Sequence, residues 1–308
     1  MTGRGAVLGV DVGGTGIKAR TTTLDGQVLD EQRVPTPRDD PAAASLGRVV
    51  ADLAVRARAT VEQHGTTLDA VGLVVPGVVD EDAGRSVMSV NLGWRDVPVR
   101  DTVTAALRAV GIDVPLAFGH DVRAGALAEV RAGGLDHGAV AFVPVGTGLA
   151  SALVVDGRVV SGEGWAGEIG QVRIQQGPHA GLRLEEVASA GAVARRSSTE
   201  SAHAAMLRVR QGDPVATAVW ADCVDALADA IAWIAAVAGC RAVVVGGGLA
   251  ESGPMLLDPL RDAVAERLVG IRTPTLLAAR HGDAAGAIGA GLLARDLLDA
   301  LAPSGGPS

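Results

Sequence analysis

The chain has 308 residues, a length that suits two domains and allows about three quarters of the unfolded surface to be buried without disulfide or metal staples. Its residues are 48% hydrophobic, mostly Ala, Val and Leu as in α/β proteins, and its net charge is −8, an acidity that repels phosphate backbones and excludes nucleic acid as a partner without excluding a local nucleotide pocket. Cys223 and Cys240 form no metal or redox motif and read as buried structural thiols, and with no signal peptide and no apolar run of about 18 residues a cytoplasmic protein without a membrane partner is expected.

Ala6 to Val12 is an apolar run that stops at Gly13-Gly14-Thr15-Gly16. Ile17 to Leu24 is rich in Thr and alternates, which predicts a second strand. Asp25-Gly26 is a two-residue hairpin signal, and Gln27 to Val34 reads as a third strand. The glycine turn therefore joins strand to strand. It opens no helix, which excludes a P-loop or a dinucleotide fingerprint. Pro41 to His64 has helical spacing, with Leu46, Val49, Val50, Leu53 and Val61 on one side. A short buried strand, Val71 to Val75, ends at Pro76-Gly77. Asp101 to Val110 is helical, Val114 to Phe118 is a strand running into His120-Asp121, and a helix follows at once from Val122 to Arg131. This alternation implies a sheet with crossover connections.

The opening pattern then returns. Val140 to Val145 is an apolar strand, Gly146-Thr147-Gly148 a tight turn, Leu149 to Val155 a second strand, Asp156-Gly157 a hairpin turn and Arg158 to Val160 a third strand. A repeat of this length predicts two homologous lobes, each offering a glycine turn to a central cleft. Pro214 to Ala238 is a long Ala-rich helix, Arg241 to Val245 a strand ending in Gly246-Gly247-Gly248, and Met255 to Leu268 a helix. Thr275 to Ala279 is the last strand and Ala284 to Leu301 the last helix. The Pro/Gly/Ser tail from Pro303 to Ser308 is expected to fray.

Backbone N–H groups in a tight glycine turn make an anion nest. Thr15 and Thr147 add hydroxyl donors, Lys18 adds a point charge for a phosphate oxygen, and Asp11, at the end of the first strand, is placed to hold Mg²⁺ directly or through water. Ordinary hairpin turns are the alternative. Asp121 stands at the carboxyl end of a strand, where open α/β sheets bind ligands. It suits a general base that takes the proton of an attacking hydroxyl, and it equally suits a helix cap. Gly162 to Gln171 is dense in glycine and carries Glu163 and Glu168, acceptors for sugar hydroxyls or parts of a plain polar loop. Glu185 opens a further helix, where the helix dipole alone would favour it. Gly246 to Gly248 offers bare backbone to an adenine ring.

In this order the motifs resemble the ROK family of sugar kinases and repressors, within the actin, sugar kinase and Hsp70 superfamily. The family's first phosphate motif is similar to Asp11 to Lys18 and its second to Val145-Gly146-Thr147-Gly148. Its catalytic Asp matches Asp121, its Asn-x-x-Trp stretch Asn91-Leu92-Gly93-Trp94, its Ala-Gly-Glu-Ile-Gly signature Ala166 to Gly170, and its adenosine-side glycines Gly246 to Gly248. The resemblance spans nearly the whole chain. It implies two actin-like (ribonuclease H-like) α/β lobes around a cleft. The N-terminal lobe would span 1–119, completed by the C-terminal helix at about 289–302, and the C-terminal lobe 120–288. It also implies ATP and Mg²⁺ as cofactors, and a homodimer.

By the same resemblance Asp121 is the catalytic base, and Asn91, His120, Asp121, Glu168, Gln171 and Glu185 bind the substrate. Asp11, Gly13, Gly14, Thr15, Lys18, Gly146, Thr147, Gly148, Gly247 and Gly248 would bind ATP. Three departures stand out. His120 replaces the family's usual Asn, and Gln171 replaces a His that contacts both sugar and a structural zinc. Gln176 to Arg183 contains no cysteine where the family has a cysteine-rich zinc loop. A tetrahedral site needs about four N or S ligands, so no zinc is expected. The changed positions imply a reshaped acceptor pocket for a glucose-type sugar, an amino sugar or a C7-cyclitol. The expected function is phosphorylation of a primary hydroxyl. A regulator is disfavoured because the first strand begins near residue 6, leaving no room for a helix-turn-helix domain. A non-catalytic sugar binder is disfavoured by the retained Asp11, Lys18 and Asp121.

Overall fold

The computed structural model describes residues 5–302, and the Pro303–Ser308 tail lies outside them. In chain order come strands β1 (Gly5–Val12), β2 (Gly16–Thr23) and β3 (Val28–Pro35), helix α1 (Ala44–Gln63), and strands β4 (Thr67–Val75), β5 (Val78–Asp80), β6 (Arg85–Ser89) and β7 (Trp94–Val97). Helix α2 (Val99–Ala109), strand β8 (Leu116–His120) and helix α3 (Asp121–Gly133) follow. Next are strands β9 (Ala139–Pro144), β10 (Ala152–Val155) and β11 (Arg158–Val159), and helices α4 (Leu184–Val187), α5 (Ala190–Arg196), α6 (Ala202–Arg210) and α7 (Pro214–Ala238). The chain closes with β12 (Ala242–Gly246), α8 (Gly247–Ala250), α9 (Pro254–Arg267), β13 (Thr275–Ala278) and α10 (Ala285–Leu301). No helix among the described residues is long and apolar enough to cross a membrane.

The contacts divide the chain into two units. One runs through Ala128 and takes in Ser161–Trp165 and everything from Ala284; the other is Glu129–Val160 with Ala166–Asp283. The sequence expectation put the boundary at 119/120. Here the first turns of α3 belong with the first unit because Ala124 packs against Val74 and Ala290.

In the first unit the sheet order is β3-β2-β1-β4-β8. β1 is buried on both faces, and its side chains sort by parity. Ala6, Leu8, Val10 and Val12 join the core under α1 and α2, while Val7 packs toward Ala294 of α10. On the α10 side the sheet is stripped to glycine. A Cβ on Gly9 would stand 2.2 Å from Ala287 O, and one on Gly72 would stand 1.8 Å from Ala290 O. The helix therefore lies directly on the strand backbones. β3 forms a charged outer edge, with Glu31 bound to Arg20 at 2.7 Å, a common guard against edge pairing. α1 starts at Ala44, later than the spacing predicts. Asp40 accepts the N–H groups of Ser45 (3.0 Å) and Leu46 (2.8 Å), so residues 41–43 form the approach to the helix. The sequence reading passed over the small sheet β5-β6-β7, whose strands of three to five residues are too short to show alternation.

In the second unit the order is β11-β10-β9-β12-β13. In both sheets the first three strands in sequence pair antiparallel and the last two join in parallel, so the repeat seen in the sequence is a repeat of topology. β10 begins at Ala152, not Leu149, because Ser151 N–H donates to Gly167 O (2.8 Å) instead of to β9. The long α7 is capped by Asp213, whose carboxylate accepts Val215 and Ala216 N–H (2.9 Å each). It ends at Gly239 in the left-handed region at φ 62°. α9 packs along it over a core of Leu227, Ile231, Leu256 and Leu260.

Candidate functional site

The first glycine turn closes with Gly13 N–H donating to Gly16 O (2.9 Å). Thr36 braces it from below: its hydroxyl donates to Gly13 O (2.7 Å) and its N–H to Thr15 O (3.2 Å). Gly14 and Thr15 stay exposed. Asn91 lies over this turn, since a Cβ on Gly14 would stand 3.4 Å from Asn91 Cβ. Three residues on, the buried Trp94 donates its indole N–H to Asp40 O (2.8 Å) and anchors the segment. The Asn-x-x-Trp stretch thus places Asn91 beside the turn and anchors it through Trp94.

Asp11 pairs with Lys18 across β1–β2, and Lys18 pairs with Arg33 across β2–β3. Directly opposed residues share a face, so the three form a row beside the turn. Lys18, Arg33, Thr15 and Pro35 also line a groove of about 430 Å³. Asp11 has a second neighbour. A Cβ on Gly286, the second residue of α10, would stand 2.6 Å from Asp11 Cγ. The carboxylate therefore lies on the first turn of a helix, where the helix dipole favours negative charge. The Mg²⁺ implied by the resemblance fits this arrangement. Such a hard cation takes one or two carboxylates together with phosphate and water oxygens. Among the described residues no group of three or more His, Cys, Asp or Glu could hold a metal on its own.

Asp121 is the first residue of α3, immediately after β8. Its Oδ1 accepts Val122 N–H (2.7 Å) and stands 3.3 Å from His120 Nε2. Beneath this pair the buried Arg123 donates its Nε–H to Glu81 Oε1 (2.9 Å) and further N–H groups to Val79 O and Gly164 O (3.3 Å each). Glu81 Oε1 also accepts His120 N–H (3.2 Å). The His120 residue is only 5% exposed. Burial, helped by the Arg123 charge, pushes its pKa down to about 3, so the ring is neutral near pH 7.

In the second unit, Gly146 N–H donates to Gly148 O (3.0 Å), matching the first turn. Val145 stitches this turn to the later glycines: its N–H donates to Gly246 O (2.8 Å) and its carbonyl accepts Leu249 N–H (3.1 Å). Gly247, at φ 75°, lies so close to the Val145 backbone that a Cβ would stand 2.5 Å from its carbonyl carbon. The two glycine sets that are about a hundred residues apart in sequence are thus adjacent. Glu185 joins them, with Oε2 3.2 Å from where a Gly148 Cβ would be. Gly170 lies against it, and a Cβ there would stand 3.2 Å from Glu185 Cβ. Glu168 is half-buried on the same signature.

Arg183 links these side chains. Its NH1 donates to Gln171 Oε1 (3.0 Å) and pairs with Glu185 Oε1 (2.8 Å), and its backbone N–H donates to Glu186 Oε2 (2.8 Å). The sequence reading quoted Arg183 but gave it no role, and nothing in its spacing points to Gln171. Thr36, Glu81, Arg123 and Gly286 were likewise passed over, because each acts through a partner distant in sequence.

Residues 172–183 occupy the place of the family's zinc loop, and they do not fit zinc. The segment folds on itself through Ile174 N–H to Leu182 O (2.9 Å) and Gly181 N–H to Ile174 O (2.8 Å). His179, its only nitrogen ligand of that kind, is engaged by Asp222 of α7 (2.8 Å), which also binds Arg196 (2.5 Å). Both cysteines lie in the core, and burial pushes the Cys223 thiol up to about 12, far from the thiolate a metal needs.

The ROK family model matches residues 7–297. A glucokinase of Streptomyces coelicolor is 28% identical over 324 residues, covering 95% of this chain and 98% of that protein. An N-acetylmannosamine kinase of Escherichia fergusonii is 30% identical, covering 94% and 98%. Among solved structures, a ROK family glucokinase from Streptomyces griseus in complex with glucose and AMPPNP is similar with a TM-score of 0.76. That match has 28% identity and covers 94% of this chain and 99% of the other.

Proposed function

The chain belongs to the ROK family, and from that premise we propose that it is a sugar kinase, transferring the γ-phosphoryl group of ATP to a primary hydroxyl of a hexose or hexose-like acceptor. The observation that carries this reading is the setting of Asp121. It is a carboxylate at a strand–helix junction, held by Val122 N–H and 3.3 Å from the His120 ring, in the same unit as the Asp11–Lys18 glycine turn.

The chemistry is in-line displacement. Asp121 accepts the proton of the acceptor hydroxyl as its oxygen bonds to the γ-phosphorus, and the bond from that phosphorus to the β–γ bridging oxygen breaks to release ADP. The N–H groups of Gly14 and Thr15 and the Lys18 ammonium bind phosphate oxygens, Gly13 closes the turn with its own N–H on Gly16 O (2.9 Å), and Asp11 would hold Mg²⁺ through water. When bound, that ion neutralises phosphate charge. Thr147 and Gly148 bind phosphate through backbone in a turn that the Gly146 N–H closes on Gly148 O (3.0 Å), and Gly247 and Gly248 take the adenosine. Asn91, Glu168, Gln171 and Glu185 accept or donate hydrogen bonds to acceptor hydroxyls. Gln171, which stands where the family has a His and is held by Arg183 (3.0 Å), suits an amino sugar or C7-cyclitol as well as glucose.

The cytoplasm, where ATP is supplied, is its expected place, and a homodimer its expected assembly. An apolar face on α7 supports the dimer, with Trp233 73% and Val237 84% exposed.

The test is a coupled ADP-release assay with Mg-ATP over glucose, mannose, N-acetylmannosamine, 3-amino-glucose and C7-cyclitols. Turnover on one acceptor is expected, reduced about 10²–10⁴-fold in Asp121→Asn. Equal turnover in that variant would remove Asp121 as the base. Silence on every acceptor with ATP still bound would favour a non-catalytic sugar binder.

A further inference from the structure

We propose that Arg183 is a positioning residue that fixes the hydrogen-bonding polarity of the acceptor site. By holding one oxygen of Gln171 and one of Glu185, it leaves the first side chain a donor and the second an acceptor. The substrate must then offer an oxygen to Gln171 and an O–H or N–H group to Glu185. The inference deepens the proposed function and rests on reading Gln171 and Glu185 as ligands of the acceptor.

Backbone pairing brings these side chains together. Val172 N–H donates to Ile169 O (3.1 Å), which turns the chain at the end of the Ala166–Gly170 signature. Leu184 N–H then donates to Val172 O (2.8 Å), and Arg173 bridges antiparallel to Arg183. The two stretches run side by side, so Gln171 and Arg183 meet although they are 12 residues apart. Arg183 is braced on another side by Glu186, whose Oε2 accepts both its backbone N–H (2.8 Å) and its Nε–H (3.3 Å).

A guanidinium has donors and no acceptor. The Gln171 amide therefore turns its oxygen to Arg183 NH1 (3.0 Å), because the reverse orientation would set N–H against N–H. Its NH2 group is directed away from Arg183, with two protons to give. Glu185 commits Oε1 to the same NH1, in an ion pair of 2.8 Å between two charged groups. Its Oε2 lies by the second glycine turn, 3.2 Å from where a Gly148 Cβ would stand. Among the described residues neither Gln171 Nε2 nor Glu185 Oε2 has a hydrogen-bond partner. The Arg183 side chain is 42% exposed, so its ion pair adds little to stability, and its consequence is orientation. What remains is an unlike pair, one donor and one acceptor, tied to a single nitrogen. A ring hydroxyl serves either member, since it both donates and accepts. A carbonyl oxygen or a fluorine serves only Gln171, and an ammonium only Glu185. A substituent facing the wrong member leaves a polar group unmatched, which is the strong form of discrimination.

Two measurements on the full chain test this. The first needs no substrate and compares the melting temperatures of Gln171→Leu, Arg183→Met and the double variant. If the guanidinium holds the amide oxygen, the double variant melts no lower than Arg183→Met alone. Gln171→Glu, which keeps an oxygen toward Arg183, should melt above Gln171→Leu. Losses that simply add, or a Glu variant as unstable as the Leu variant, would overturn the clamp. The second is equilibrium binding of glucose, N-acetylmannosamine and the monodeoxy and monodeoxyfluoro derivatives of each. At the ring position facing Gln171, fluorine should bind within about threefold of the hydroxyl. At the position facing Glu185, fluorine and hydrogen should both weaken binding about tenfold or more. In Gln171→Glu the first position should reverse: the hydroxyl still binds by donating, and the fluorine loses about tenfold or more. Arg183→Lys, which also only donates, should recover most of the affinity lost in Arg183→Met. Unchanged tolerance of fluorine in Gln171→Glu would overturn the polarity assignment. Failure of both parent sugars to bind would overturn the reading of Gln171 and Glu185 as acceptor ligands, and this proposal with it. Binding without turnover would count against Asp121 as the base, while the fluorine series would still decide the polarity.

Discussion

The two units share one topology and differ in what they put beside it. Aligned on their turns, Gly13 corresponds to Gly146, and the pairing Val12–Ile17 corresponds to the bridge Val145–Leu149. Pro144 and Ala150 then stand where the first unit has Asp11 and Lys18. The first turn is flanked by a carboxylate and an ammonium; the second has backbone alone, stitched to Gly246–Gly248. A duplicated strand-turn-strand thus serves two purposes. On the proposed reading, one copy brings charge for a metal and a transferring phosphoryl group. The other brings N–H groups and bare backbone, to which Glu185 and Gln171 are added through Arg183. In the proposed function the repeat sets where a phosphate is met, and the side chains at two positions decide whether chemistry follows.

Breaking the charged turn should have the largest effect. Asp11→Ala is expected to reduce kcat about 10²–10³-fold, the range for removing one electrostatic stabiliser, while Pro144→Ala leaves it unchanged. ADP release measures both, and an equal loss in the two variants would dissolve the distinction between the turns. Gly286→Ala sharpens the point. The added methyl would stand 2.6 Å from Asp11 Cγ, so the carboxylate must move. A fall in kcat of about tenfold or more is expected, since displacing a catalytic group by about 1 Å can cost 10²-fold. An apparent weakening of Mg²⁺ in a metal titration should accompany it. A lowered Tm with kcat intact would show that α10 yields and Asp11 does not.

Arg183→Met tests the second unit in a different parameter. Without the guanidinium, Glu185 and Gln171 lose their shared partner, and charged hydrogen bonds of this kind contribute about 1.5–3 kcal/mol. The acceptor KM should rise about tenfold or more, with the ATP KM unchanged. A fall in kcat alone would move Arg183 from acceptor placement to phosphoryl transfer.

Much of the shared topology was legible. β1 to β3 announce themselves through an apolar run, an alternating Thr-rich run and Asp25-Gly26, and the second copy repeats the signals. The ends were less so. β10 is half the length its apolar run predicts because Gly167 captures Ser151 N–H, a partner that no local pattern reveals. Motifs located Asp11, Lys18, Asn91 and Asp121, but not what each leans on. The inward placement of His120 depends on Glu81, 39 residues earlier in the chain, and on the buried Arg123. A sequence shows that an Asn has become a His; it does not show that the ring has turned away from solvent. Nor does the missing cysteine loop announce that an ion triad will hold the same segment.

That triad carries the smallest predicted effect, and its sign follows from the charges. Burial alone would raise the pKa of Asp222, but hydrogen bonds and charge from Arg196 and His179 outweigh it and leave the carboxylate below its usual range. A carboxyl whose pKa is lowered on folding stabilises the protein above its unfolded value of about 3.9. That contribution is lost as pH falls through the folded value. Asp222→Asn should therefore lower Tm near pH 7, and the gap to the wild type should begin to close below about pH 3.9 and go on closing as pH falls through the lower folded value. Melting curves from pH 3 to 7 read the difference directly. Because Asp222 is 32% exposed, solvent screens the interaction and the gap should be modest. His179→Gln should show part of the same loss, since it keeps a donor toward Asp222 but no charge. A gap that persists undiminished to pH 3 would mean that the side chain packs the loop by shape, and that the ion triad holds nothing a neutral amide could not.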